Sequence, residues 1–108
     1  MDNKEIVKRI EKHSKKILDY IKDLDYDKFM SNEIVQEACV FNIAQIGELT
    51  SMLDESFMNS HNEILWHAMK GLRNRIVHDY DGVNFQIVWD TIKNDFPLML
   101  SQLEKITM

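Results

Sequence analysis

Apolar residues recur along most of this chain at spacings of three and four, the signature of amphipathic helices. The first run predicts a helix over about residues 3–23. Ile6, Ile10, Ile17, Ile21 and Leu24 mark one face, with Lys and Glu between them. Asp25-Tyr26-Asp27-Lys28 breaks the pattern and reads as a connection. A second helix over about 32–53 carries Ile34, Val35, Ala38, Phe41, Ile46, Leu49 and Leu53 in a wide apolar stripe, with Ser31 or Asn32 as its N-cap. Its charge-poor middle predicts a central position. Gly47 lies inside it and costs about 1 kcal/mol against Ala, a cost that close approach of a neighbour would offset.

A third helix is expected to begin at Ser60, where Ser60 and Glu63 have capping-box spacing. Ile64, Leu65, Ala68, Leu72 and Ile76 form its core face. It should run to about His78 and stop before Gly82. Asn84 can cap a fourth, running to about Lys105, with Phe85, Val88, Trp89, Ile92, Phe96, Met99, Leu100 and Leu103 as its apolar positions. Pro97 inside that run removes a backbone donor and clashes with the preceding turn. A kink or a split near 93–97 follows. The sum is an all-α, up-and-down bundle of four main helices, the last kinked or split, in one domain over residues 1–108.

Composition agrees. Three Gly and one Pro are too few for the turns of a many-stranded sheet. Cys39 is the single cysteine; inside an apolar helical run it reads as a small buried hydrophobe. Met1-Asp2-Asn3-Lys4-Glu5 has no apolar segment, so no signal peptide is expected. No apolar run reaches the roughly 20 residues that span a bilayer. A cytoplasmic location without membrane contact is the default expectation. His13, His61 and His67 lack ligand spacing, so neither a metal nor a cofactor is expected. The seven Met residues read as core filler or interface. Lys15-Lys16 reads as part of a solvated face. The net charge of −5 excludes a general nucleic-acid coat, which needs many cation–phosphate contacts. Any RNA chemistry must rest on a local basic patch.

That patch is Lys70, Arg73 and Arg75. At about 100° per residue on the third helix, Leu65, Ala68, Met69, Leu72 and Ile76 fall on the core side. His67, Lys70, Asn74 and His78 fall on the opposite side, with Arg73 on the flank. Asn74 and His78, four apart, would be neighbours, so Asn74 could hold the His78 ring. Trp66 and Val77 point away from the core side and suggest a partner surface. A twofold dimer through that face would bring two copies of Arg73, Asn74 and His78 together. Metal-free RNA cleavage needs a base for the 2′-OH, an acid for the leaving 5′-oxygen and a cation for the charge on phosphorus. His can do either proton task, and Arg grips phosphate oxygens with a planar fork.

Arg73-Asn74-Arg75-Ile76-Val77-His78-Asp79-Tyr80 resembles the Arg-x4-His-x-Tyr motif of the HepT toxins, a branch of the HEPN ribonuclease superfamily. Ile46-Gly47-Glu48 matches a Gly-Glu pair typical of the group. Asp81-Gly82-Val83, Val88-Trp89 and Pro97 follow as they do in relatives. Relatives often open the third helix with Pro-Trp, whereas here Trp66 follows Ile64-Leu65. The resemblance implies an all-helical dimer that acts as a metal-independent ribonuclease, with Arg73 and His78 as the catalytic pair and Asn74 in support. It also implies a small nucleotidyltransferase antitoxin of the MntA type as partner, transferring AMP to Tyr80. Phosphate charge and adenine bulk beside Arg73 and His78 would block an RNA site.

Blander readings stand beside these. His78 can be a structural histidine favoured by a helix C-terminus, and Tyr80 can simply pack its ring. Glu48 can orient Arg73 or His78, or be solvated. His67 and Lys70 are possible accessory residues lining the cleft. At the level of function, a non-catalytic module binding a nucleotide or the nucleotidyltransferase, and a plain helical oligomerisation domain, are the alternatives to an RNase.

Overall fold

The computed structural model describes residues 1–78 and 82–108, with Val77 and His78 described by their backbone alone. The architecture is all-α, and the described residues form eight helices rather than four. α1 (Asn3–Ile21) is followed by α2 (Tyr26–Met30), α3 (Glu33–Thr50), α4 (Glu55–Ser60), α5 (Trp66–Lys70) and α6 (Leu72–Ile76). A two-residue antiparallel pair, β1 (Val77–His78) and β2 (Gly82–Val83), precedes α7 (Phe85–Asn94) and α8 (Phe96–Thr107).

Side-chain caps set several starts. Asp2 accepts from Glu5 N to open α1, Asn32 from Val35 N to open α3 and Asn84 from Ile87 N to open α7. Asp25 accepts from Lys28 N, so the expected connection after α1 holds the short helix α2. The predicted split at Pro97 is present: α7 ends at Asn94, and Pro97 lies in the first turn of α8, where its missing N–H costs nothing.

α3 is central, as its charge-poor middle predicts. α1 packs along one side of it, α5 and α6 along another, and α8 lies on α1. One apolar cluster runs through the packing, from Ile6, Ile10 and Ile17 through Ile43 and Ile46 to Ile76, Ile92, Phe96 and Leu103. Cys39 is buried in it, and burial pushes its thiol up to about 12. The thiol is therefore neutral and poorly nucleophilic at physiological pH.

The apolar stripe expected for α3 is corrected. Ile34 and Phe41 are 80% and 60% exposed. The buried face instead mixes Cys39, Ile43 and Ile46 with Gln36, Asn42 and Thr50. Each of these polar groups is satisfied. Gln36 Nε2 donates to Phe29 O and Met30 O, Asn42 Nδ2 to Ala38 O and Thr50 Oγ1 to Ile46 O. Asn42 Oδ1 lies 2.7 Å from His13 Nδ1 on α1.

Gly47 is where α5 comes closest. A Cβ there would sit 3.3 Å from Lys70 O and 3.7 Å from Met69 O. The missing side chain therefore lets the end of α5 lie on the α3 backbone. Gly47→Val would drive branched methyls into those carbonyls. It should destabilise the fold by roughly 1–3 kcal/mol, read as a lower urea midpoint. Gly47→Ala should cost less, because its helix propensity gain of about 1 kcal/mol opposes the tight contact.

Candidate functional site

The segment carrying the motif is not the long helix expected from Ser60 to His78. Ser60 ends α4 and caps nothing. The chain then turns through residues 61–65, where Ile64 N donates to His61 O, and α5 starts at Trp66. Gly71 separates α5 from α6, yet Gly71 N donates to His67 O and Arg75 N to Gly71 O, so the helical path nearly continues. It ends at Ile76. His78 lies two residues beyond, in β1, where Val77 pairs with Val83 and His78 with Gly82. Asn84 N donates to Ile76 O at 2.8 Å and closes the hairpin against the end of α6. Gly82 adopts φ +77°, a left-handed conformation that suits glycine at this turn. Its predicted role as a helix stop is thus replaced by one in the hairpin.

These facts change the expected geometry. Asn74 and His78 are not four-apart neighbours on one helix. Asn74 Oδ1 instead lies 3.5 Å from Arg73 Nη1 and accepts its hydrogen bond. Arg73 and Asn74 are both exposed, and Arg73 forms no ion pair with the described residues. Arg75 is engaged, with Nη1 3.6 Å from Asp95 Oδ2. Lys70 is half-buried and His67 exposed. Both line a groove of about 600 Å³ with Met58, Asn59 and Asn62. Glu48 is exposed on α3 and makes no ion pair with Lys70 or Arg73. Tyr80, with Asp79 and Asp81, lies outside the described residues.

The stretch from Ile64 to His78 contains no Asp or Glu and holds His67, Lys70, Arg73, Arg75 and His78. It is a basic strip on an acidic protein, and on it Arg73 is exposed and in no ion pair with the described residues. Among the described residues, no group of three or more His, Cys, Asp or Glu side chains gathers as a metal site. No helix of the described residues is long and apolar enough to cross a membrane.

Trp66 is the clearest correction. It was expected to face outward with Val77 as a dimer surface, but it is 5% exposed. Its Nε1 donates to Met58 O and His61 O, and its ring lies 6.2 Å from that of Phe57. The indole ties α5 to the turn after α4. Leu65 and Ala68, expected on the core side, are exposed instead. Sequence reasoning also missed Asp95 as the partner of Arg75, since nothing in the spacing pairs residues twenty apart.

The sequence that folds this way has known relatives. The family described as Ribonuclease HepT-like matches residues 10–106, and the chain belongs to that family. A Methanocaldococcus jannaschii protein named "Putative RNase MJ0127" is 33% identical over 92 residues, 85% of this chain and 76% of that protein. A Caldanaerobacter subterraneus protein named "Putative RNase TTE0752" is 28% identical over 90 residues, 83% of this chain and 80% of that one. A Thermococcus cleftensis protein named "Probable ribonuclease HepT" is 28% identical over 90 residues, 83% of this chain and 82% of that one. No solved structure matches the chain.

The buried indole makes a stability prediction. Trp66→Ala should cost about 3–5 kcal/mol, as large aromatic truncations in cores do. Trp66→Phe should cost less, mainly the lost N–H donation that leaves two carbonyls with one partner fewer. Thermal unfolding of both variants reads the difference. A Trp66→Ala protein as stable as wild type would show that the ring does not anchor α5.

Proposed function

We propose that this chain is the ribonuclease toxin of a two-component pair, cutting RNA without a metal ion as a homodimer, with Arg73 and His78 as its catalytic pair. The observation that carries this reading is the Arg73-to-Tyr80 motif in a member of a ribonuclease family, with Arg73 exposed and free of ion pairs to the described residues. In this reading His78 removes the proton from a ribose 2′-OH. The oxygen attacks phosphorus, the bond to the 5′-oxygen breaks, and a proton reaches the leaving oxygen from the conjugate acid or from a second His78. The products are a 2′,3′-cyclic phosphate and a 5′-hydroxyl. Arg73 neutralises the charge that builds on the phosphoryl oxygens, and Asn74 steadies its guanidinium through the contact at Nη1. Glu48, His67 and Lys70 are accessory at most. The partner is a small nucleotidyltransferase that silences the toxin by adding AMP to Tyr80, which brings negative charge beside the motif.

The dimer of this reading cannot use Trp66, which is buried. It uses the outer face of α3. At about 100° per residue, Ile34, Ala38, Phe41, Gln45 and Glu48 share one stripe. Ile34 and Phe41 on it are 80% and 60% exposed, although α3 is otherwise the central helix. The same helix carries α5 and α6 on its flank, so a twofold partner there would sit beside the basic strip. Each chain has one motif histidine, and the dimer supplies two.

Two measurements test this reading. Unmodified wild-type protein in excess EDTA should cleave single-stranded RNA to 2′,3′-cyclic phosphate ends. His78→Ala and Arg73→Ala should lose at least about a hundredfold in rate, within the range for removing a general acid–base or an oxyanion cation. A folded His78→Ala protein that cuts at the wild-type rate would sink the assignment. Tight nucleotide or nucleotidyltransferase binding without cleavage would favour a binding module instead. Separately, Phe41→Glu should yield a folded monomer by sedimentation with sharply reduced cleavage. A Phe41→Glu dimer would place the interface elsewhere.

A further inference from the structure

The charge on this chain is sharply segregated. Six of its thirteen Lys and Arg residues lie between Lys4 and Lys16 on α1, where only Glu5 and Glu11 oppose them. Lys8, Lys12, Lys15 and Lys16 line a groove of about 700 Å³ between α1 and α8, with Leu18 and Leu100 as its apolar walls. All four lysines are exposed. Of the carboxylates at the groove, Glu11 is 8% exposed and accepts a hydrogen bond from Thr107 Oγ1, so it is largely withdrawn from solvent. Asp19 stands at the far end. Lys15 lies 3.8 Å from Glu104 in an exposed pair worth little, whereas Lys8, Lys12 and Lys16 are in no ion pair with the described residues.

Lys8, Lys12 and Lys16 recur every four residues. They advance about 6 Å along the helix axis per step while staying on one side of it. A line of evenly spaced cations along a groove suits a polymer with evenly spaced anions better than a compact ligand. It also suits such a polymer better than the irregular acids of a protein surface. We propose that this groove is a track for the phosphodiester backbone of single-stranded RNA, separate from the Arg73 strip. The inference rests on the ribonuclease reading for its choice of polyanion. It gives an acidic enzyme a place to hold substrate, with cations tracking the backbone and apolar walls facing sugar or base.

The test is binding of a non-cleavable 2′-O-methyl RNA of about 15 nucleotides, within the length that such grooves accommodate. Anisotropy is measured at several salt concentrations with the full chain. Lys8→Gln, Lys12→Gln and Lys16→Gln combined should weaken binding about tenfold or more and lower the salt slope by about 2, three single-strand phosphate contacts at about 0.7 each. The corresponding Glu triple variant should weaken it further. Either variant, folded by circular dichroism and binding with wild-type affinity and slope, would overturn the track. Competition by polyglutamate equal to that by RNA of the same charge would also overturn it, in favour of an acidic protein partner. The two readings fail separately. Unmodified RNA of the same sequence that binds through these lysines but is left uncut supports the track and sinks the ribonuclease. RNA cut normally by the Gln variant with unchanged binding does the reverse.

Discussion

The contact on which the motif segment depends is backbone against backbone. Gly47 has no side chain, so Lys70 O and Met69 O at the end of α5 lie directly on α3. Everything from Lys70 to His78 continues from that point. The later restraints are weaker. The exposed Arg75–Asp95 pair contributes at most about 1 kcal/mol. The hydrogen bond from Asn84 N to Ile76 O contributes about 1 kcal/mol net. These fine restraints fix direction, while the packing of Met69, Leu72 and Ile76 supplies the energy. Arg73 is therefore presented by a short helix held at its base and steered at its tip.

α3 inverts the usual arrangement of a central helix. Its inner face accepts Gln36, Asn42 and Thr50, and each is hydrogen-bonded to a nearby backbone carbonyl. Such burial is tolerable because no polar group is left orphaned. Its outer face keeps Ile34 and Phe41 in water. Two large apolar groups exposed on one stripe of a helix are poorly explained by the stability of a single chain. The proposed dimer accounts for them and, at the same time, for how a chain with one motif histidine obtains a second.

Much of the helical plan was legible in the sequence, because local chemistry decides it. Asn32, Asn84 and Pro97 act through their own side chains within a few residues, and each does what its type dictates. Burial of Cys39 and close approach at Gly47 were also readable. The motif segment was less so. Assigning faces by angle assumes one unbroken helix, and the turn over residues 61–65 together with Gly71 breaks that assumption. Trp66 is buried by Phe57 and the turn after α4, a contact that angles on one helix cannot show, while Leu65 and Ala68 are exposed. The α3 stripe misled for another reason. A helix apolar on nearly every side carries no periodicity that says which side is inner. The run from Arg73 to Tyr80 is legible as a string, and a string does not reveal that His78 sits in a strand paired to Gly82.

The same limit applies to charge. A net value of −5 describes the chain at distances where its charges blur together, yet at physiological salt the screening length is only about 8 Å. A polyanion nearby senses local cations, and these are densest in two places, the acid-free stretch from Ile64 to His78 and the lysine row of α1. The acidic remainder still matters, because it repels a polyanion that strays from those surfaces. Under the proposed function, RNA is held only where strand and cations coincide. Unpaired strand has the flexibility to bend between two such surfaces, which a stiff duplex lacks. Under the proposed function, acidity overall and cations in strips act together: the first suppresses indiscriminate binding, and the second admits a narrow class of substrate to Arg73.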